Sequence, residues 1–298
     1  RLLYLDGSTS KDDLLTCFIE YISLIDPGVY TALSYCWGDP RITSTIRIDG
    51  CEVKITKNLE SALRGARENR SAKGGILRLW VDALCINQGD KEERSNQVRN
   101  MRQIYSKAKE VLCWVGGQEV PPLHVEGLEY LLKNQIEVQT LGTGSSSEET
   151  ELSSFGNIVD EVDKEKFWTE NGWVLLNEFF SQPYWERVWI IQEITVASYV
   201  TVLWGNIEIP WNFVNATLMK LREAEIAKGS GSRIKTSSKA AHLLEFRDHY
   251  YVRRQPIGLL DAMRWSHKTL ATDPRDKIYA LLGLCHDGTQ FVPIPNYR

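Results

Sequence analysis

At 298 residues the chain has room for one large core or two modest ones. Its 35 Lys and Arg against 39 Asp and Glu leave a net charge of −4, so there is no electrostatic case for nucleic acid or an anionic membrane surface as partner. The composition, 43% hydrophobic and 25% charged, is that of an ordinary globular protein, and no apolar run approaches the ~20 residues of a membrane span.

Strand and helix signals alternate through the first half. Tyr30-Thr-Ala-Leu-Ser-Tyr-Cys-Trp37 is β-rich and runs into a turn at Gly38-Asp-Pro40. Ile46 to Ile55 alternates apolar and polar residues around Asp49-Gly50, a strong hairpin signal. Asn58 is placed to cap a helix running to about Asn69. Leu77 to Ile86 reads as one strand, with Asp82 inside it, ending at the polar loop Asn87-Gln-Gly-Asp90. A helix follows, with Asp90 as its cap and Val98, Met101, Ile104, Tyr105 and Ala108 on one face. Glu110 to Val115 is a short apolar strand closed by Gly116-Gly117, and an amphipathic helix is expected from about Leu123 to Val138.

Thr140 to Ser154 is rich in Gly, Ser, Thr and Glu and reads as a mobile insertion within 140–164. Trp168 to Ala197 is mostly helical with a break near Pro183. Tyr199 to Ile209 is a second hairpin, turning at Gly205-Asn206. The remainder is helical at about 211–228, 236–251, 256–266 and 274–284, with a Gly229-Ser-Gly-Ser232 loop. Three apolar strands separated by helices imply an α/β fold with a parallel sheet covered on both faces. Such sheets bind ligands beyond the carboxyl ends of their strands. Those ends carry Trp37-Gly-Asp39, Asp82 to Gln88, and Gly116-Gly117.

Pro183 to Ala197 is the most informative stretch. It sets Arg187, Trp189, Gln192 and Glu193 into an apolar segment, with Trp189 and Glu193 at i,i+4 on one helix face. A carboxylate beside an indole there is partly desolvated, which raises its pKa, while an opposing Arg lowers it. Glycosidic-bond chemistry uses a tunable acid of this kind. The alternative is an Arg187–Glu193 ion pair that tethers a helix. In Ser34-Tyr-Cys-Trp-Gly-Asp39, a hydroxyl, two aromatics and a Gly turn suit a nucleotide's base or ribose, or form a plain strand-end turn. Asp82 is a structural acceptor or a site group. In Asp90 to Met101 the charges read as a solvated helix start, with Arg94 and Arg99 able to face a phosphate. Asp273-Pro-Arg-Asp276 reads as a helix cap plus ion pairs holding the C-terminal helices to the core.

No glycine-rich nucleotide motif, nucleophile elbow or H-E-x-x-H is present, and the five histidines form no cluster. The six cysteines lack ligand spacing, so no metal is expected; they read as buried thiols of a reducing compartment. Ten tryptophans point to a Trp-rich core or aromatic-lined surfaces. The chain begins at Arg1 without a signal peptide and reads as a domain of a longer polypeptide.

Five ordered motifs resemble the fungal heterokaryon-incompatibility (HET) domain. They are Ala32-Leu-Ser-Tyr-Cys-Trp-Gly38; Leu79-Trp-Val-Asp-Ala-Leu-Cys-Ile-Asn-Gln88; Glu93-Arg94 with Gln97-Val98, Met101, Ile104-Tyr105 and Ala108; Trp114-Val-Gly116; and Arg187-Val-Trp-Ile-Ile-Gln-Glu193. Asp273 to Gly283 is similar to the segment that follows in such proteins. The resemblance covers most of residues 1–290. It implies a cytoplasmic fungal protein of self/non-self recognition whose HET domain triggers programmed cell death.

A more distant resemblance is to Toll/interleukin-receptor (TIR) domains. Ser34-Tyr35, Asp82, Val111 to Val115 and Trp189 to Glu193 fall in the TIR order, although residue 190 is Ile where TIR domains carry Cys. It implies a TIR/flavodoxin-like, mostly parallel sheet flanked by helices, with added β-hairpins and a helical C-terminal extension. Residues 1–200 are then the TIR-like α/β HET domain, with a flexible insertion at about 140–164, and 201–298 a hairpin and helical extension packed on it. It further implies an NAD glycohydrolase with NAD as substrate and no cofactor. Glu193 is then catalytic, and Ser34, Tyr35, Trp37, Gly38, Asp82, Arg187 and Trp189 bind the substrate. The competing expectation is a non-enzymatic death-signalling module that acts by self-association or through a receptor of the NLR type.

Overall fold

A computed structural model describes residues 1–7, 13–70, 75–116, 126–127, 172, 175–205, 207–228 and 239–297. The expected helix at 123–138 lies almost wholly outside these residues. The insertion at 140–164 and the 229–232 loop lie entirely outside them.

Nine strands are described: β1 (Leu2–Asp6), β2 (Thr16–Glu20), β3 (Thr31–Tyr35), β4 (Thr43–Ile48), β5 (Cys51–Thr56), β6 (Ile76–Trp80), β7 (Glu110–Gly116), β8 (Val200–Trp204) and β9 (Ile207–Pro210). They form one sheet in the order β5-β4-β2-β1-β6-β3-β7-β8-β9. β3 runs parallel to β6 and β7, and β7 parallel to β8. β1 is antiparallel to both β2 and β6, and the two outer hairpins, β4–β5 and β8–β9, are antiparallel. β2 and β4 pair in parallel, so the sheet is mixed, with four parallel and four antiparallel pairings around a parallel centre. The sequence reading also lacked β1 and β2, which bridge the parallel centre to the first hairpin.

Every residue of β3 is buried, so alternate side chains on both faces of the central strand are covered. Helix α1 (Lys57–Arg70) buries Leu59, Ala62, Leu63 and Ala66, one face at helical spacing. Its cap is Thr56, whose hydroxyl accepts from the Leu59 N–H at 3.3 Å. Asn58 instead lies inside the first turn and donates from its amide to the Cys36 carbonyl, tying α1 to the end of β3. Leu77 to Ile86 is also not one strand. β6 stops at Trp80 and the short helix α2 (Asp82–Cys85) begins, so Asp82 stands at the strand's carboxyl end. Helix α3 (Lys91–Lys107) is capped by the Asp90 carboxylate, which accepts from the Glu92 and Glu93 N–H groups. It buries Val98, Met101, Ile104 and Tyr105.

The hairpin at Asp49-Gly50 has positive φ at both turn residues, 51° and 80°, as a tight twisted hairpin requires. Residues 175–181 are helical and lead to a 3₁₀ turn at Pro183–Glu186 and then α4 (Trp189–Thr195). Phe179, Phe180, Tyr184, Trp185 and Trp204 form an aromatic cluster with centroids 4.9–5.6 Å apart. After β9 come α5 (Trp211–Lys228), α6 (His242–Arg247), a π-helical turn at Asp248–Arg253, α7 (Leu259–Trp265), α8 (Asp276–Leu282) and the one-turn α9 (Gly288–Phe291). Among the described residues no helix is long and apolar enough to cross a membrane.

Candidate functional site

A cleft of about 1160 Å³ opens where β3 and β6 end. Cys36, Trp37 and Gly38 enter it just past the end of β3, and Asp82 from the first residue of α2, just past β6. Val98 and Met101 of α3 contribute a wall, Arg187 and Trp189 sit on the opposite element, and the segment 270–276 forms the rim. The volume is slightly above the roughly 300–1,000 Å³ usual for small-molecule sites. Its position beyond the carboxyl ends of parallel strands is where open α/β sheets bind ligands.

Arg187 is held by backbone on both sides. Its N–H reaches the Tyr184 carbonyl at 3.2 Å, and the next residue, Val188, donates to the Leu270 carbonyl at 3.0 Å. Its guanidinium lines the cleft, with Nη1 4.0 Å from Glu193 Oε2. Nη1 is itself buried and makes no hydrogen bond. Burial works against the charge, but the Glu193 carboxylate, helped by Cys36 and Asp82, outweighs it and holds Arg187 firmly protonated.

Glu193 lies deeper. It is 1% exposed and is not a wall of the cleft; Arg187 stands between. The Ser34 hydroxyl donates to its Oε2, and Ser34 Oγ also contacts the Tyr184 hydroxyl at 2.7 Å. Burial pushes the Glu193 carboxyl up to about 7, with Arg187 and Ser34 pulling against that and Asp82 adding to it. The residue is thus a carboxyl poised near neutrality, floored by β3 and the 3₁₀ turn.

The predicted residues divide accordingly. Trp37, Gly38, Asp82, Arg187 and Trp189 line the cleft, whereas Ser34, Tyr35 and Glu193 sit below it. The i,i+4 spacing of Trp189 and Glu193 falls within one helix as expected, but only Trp189 reaches the cleft. Trp37 is 44% exposed and its indole N–H donates to Asp82 Oδ2 at 2.7 Å, so Asp82 is partnered and half-buried rather than a lone core carboxylate. The buried Tyr35 hydroxyl makes no hydrogen bond of normal geometry, yet burial and the nearby Asp82 carboxylate keep it strongly protonated. Arg94 reaches the cleft and Arg99 does not. Among the described residues no group of three or more His, Cys, Asp or Glu side chains converges as metal ligands would.

Sequence reading missed two tyrosines. Tyr184 supports Ser34 under the cleft, and Tyr297 lines the cleft from the far end of the chain. It also underrated Asp273 to Asp276, which form rim as well as brace. Gln192 explains why that brace holds. Its amide, oriented by its partners, donates to the Ala280 carbonyl at 3.1 Å and accepts from the Arg102 N–H at 2.8 Å, joining α3, α4 and α8. A Cβ on Gly283 would sit 2.6 Å from that amide and 3.0 Å from Arg102 Cβ, so the close approach requires glycine.

These features define an α/β domain with a charged, aromatic-edged cleft at the carboxyl ends of its central strands. Residues 30–193, more than half of the chain, match the family model described as "Heterokaryon incompatibility protein (HET)", and the chain belongs to that family. It is 28% identical to "Heterokaryon incompatibility protein 6, OR allele" of Neurospora crassa, over 100% of this chain and 49% of that protein. The chain therefore spans about half the length of this curated relative. No solved structure matches the chain. The family match begins just ahead of β3 and ends on Glu193, so it takes in the cleft floor but not the rim at 270–276 or Tyr297.

Proposed function

We propose that the chain is the cell-death effector domain of a fungal heterokaryon-incompatibility protein, acting in the cytoplasm by hydrolysing the nicotinamide–ribose bond of NAD. The observation that carries the reading is a buried carboxyl titrating near neutrality directly beneath a nucleotide-sized cleft. The order of the four parallel strands, β6-β3-β7-β8, is second-first-third-fourth along the chain, as in flavodoxin-like sheets, and this supports the TIR-like reading.

NAD carries a cationic leaving group, so bond cleavage needs little acid help. Water adds to C1 of the ribose, nicotinamide departs with the bonding electrons, and ADP-ribose and a proton remain. The transition state is oxocarbenium-like, and a nearby carboxylate stabilises it or takes the water's proton. Glu193 fills this role once Arg187 moves aside. The guanidinium's Nη1 faces Glu193 but makes no hydrogen bond, so a ligand phosphate that draws Arg187 toward itself uncovers the carboxylate. Trp37 and Trp189 flank the ribose, with Gly38 giving room and Asp82 a hydroxyl partner. Ser34 and Tyr35 hold the floor.

The second reading, a non-enzymatic module that kills by self-association or through an NLR-type receptor, draws on one observation: Glu193 is 1% exposed and screened by Arg187. Expression in yeast separates the two. The enzymatic reading predicts growth arrest with falling cellular NAD, both abolished by Glu193→Gln at equal protein level. Killing by Glu193→Gln with NAD intact would establish the assembly reading instead.

A further inference from the structure

The cleft already contains an aromatic ring, supplied by the chain itself. Residues 292–297 follow α9 without regular structure and return across the rim, and Tyr297 is 4% exposed inside the cleft wall. Two guanidiniums lie over its ring, with Arg94 Cζ 3.7 Å from the centroid and Arg275 Cζ 5.1 Å. Its hydroxyl donates to Asp276 Oδ1 at 2.5 Å. Arg94 stands on α3 and Arg275 at the start of α8, so the slot they line is built by two rigid elements and filled by a strap.

Several contacts hold the strap: the Val292 N–H donates to the Gly288 carbonyl at 3.0 Å, and Pro295 is buried. Asn296 receives a hydrogen bond at its carbonyl from Arg275 Nη1 at 2.9 Å and exchanges bonds with the Tyr279 hydroxyl at 3.0 and 3.1 Å. Pro293 and Pro295 restrict the intervening backbone, so closing it costs little chain entropy. Arg275 is also paired with Asp273 at 2.8 Å, and Arg94 adds to the positive field on Asp273.

We propose that the Arg94–Arg275 slot is the base-binding subsite of the cleft for an adenine nucleotide, and that Tyr297 occupies it in the absence of ligand as an autoinhibitory plug. An adenine ring stacks on guanidiniums as the phenol ring does. Its exocyclic amine supplies the donor that Asp276 now takes from the tyrosine hydroxyl. Released from the phenol, Arg94 is left with N–H donors for the adjoining phosphate. Ring and ligand exclude one another, so the measured affinity of the closed protein is reduced by the fraction of time the strap is open.

This inference rests on the cleft being a nucleotide site, but not on NAD being cleaved there. The test therefore uses ADP-ribose, which lacks the nicotinamide bond. Binding is followed by calorimetry for the wild-type chain, Tyr297→Ala, and Tyr297→Ala with Arg94→Ala, each checked for fold by circular dichroism. The expected result is affinity raised about tenfold or more by Tyr297→Ala and removed again by Arg94→Ala. Equal or weaker binding by folded Tyr297→Ala overturns the proposal. Should Tyr297→Ala fail to fold, Tyr297→Phe keeps the ring and removes only the bond to Asp276. It is expected to bind ADP-ribose severalfold more tightly than wild type, and unchanged affinity overturns the proposal. Tighter ADP-ribose binding without NAD turnover would refute hydrolysis and leave the subsite standing. Turnover with no effect at Tyr297 would do the reverse.

Discussion

Replacing Glu193 by Gln separates a desolvated acid from a structural ion pair through pH dependence alone. The carboxyl ordinarily titrates near 4.5 and burial moves it to about 7 in the folded chain. Between those values the native state holds a proton that the unfolded state has released. The stability this group contributes to the wild type is therefore full below pH 4.5 and falls as pH rises toward and through 7. Each pH unit of the gap is about 1.4 kcal/mol, so the full effect is on the order of 3 kcal/mol. Glu193 is 1% exposed, so solvent screening does not discount this figure. The amide introduced by Glu193→Gln cannot ionise, and the fall disappears. Below pH 7 the wild-type carboxyl is itself neutral and Gln replaces it like for like, the Arg187 attraction above that pH being already contained in the raised pKa, so any further cost of the substitution is roughly constant with pH and the other titrating groups cancel in the difference. Urea unfolding followed by tryptophan fluorescence at pH 4 to 8.5 supplies both curves. The stability of Glu193→Gln minus that of wild type is expected to rise by about 3 kcal/mol across the range. A difference that is flat, or that falls with pH, would mean that Arg187 holds Glu193 ionised, and the acid reading would be wrong.

Other substitutions probe the scaffold beneath the site. Ser34→Ala removes a donor that lowers the Glu193 pKa and takes one bond from the Tyr184 hydroxyl; the Glu193 titration should move above 7, with a loss of about 1–3 kcal/mol in urea unfolding. Gly283→Ala drives a methyl into the Gln192 amide and should lower stability by about 2–3 kcal/mol in thermal melts, part of it recovered in Gly283→Ala/Gln192→Ala. Thr56→Ala removes the cap of α1 and should reduce the free energy of unfolding by about 1 kcal/mol without disturbing the cleft.

What could be read from sequence followed from how local each signal was. The hairpin at Asp49-Gly50, the Asp90 cap and the buried stripe of α3 depend on neighbours a few residues away and were visible. β1 and β2 were not. Each is five residues long, and β1 is defined by pairing with β6, far along the chain. Asp82 reads as a strand residue because a short apolar run cannot by itself tell a strand from a strand followed by one helical turn. For the site, the spacing of Trp189 and Glu193 marked the right helix, but helix α4 begins at Trp189 and enters the core at once, which separates their environments. Tyr297 had no signal at all, since its meaning comes from arginines on two other elements.

NAD consumption by the purified domain, compared with Glu193→Gln over a concentration series that reaches enforced clustering, decides whether Glu193 is a catalytic carboxylate. Wild-type protein is expected to release nicotinamide and ADP-ribose, more steeply where the domain clusters, and the variant to release neither. Folded wild-type protein that leaves NAD intact at every concentration would contradict that role and make Glu193 a structural residue.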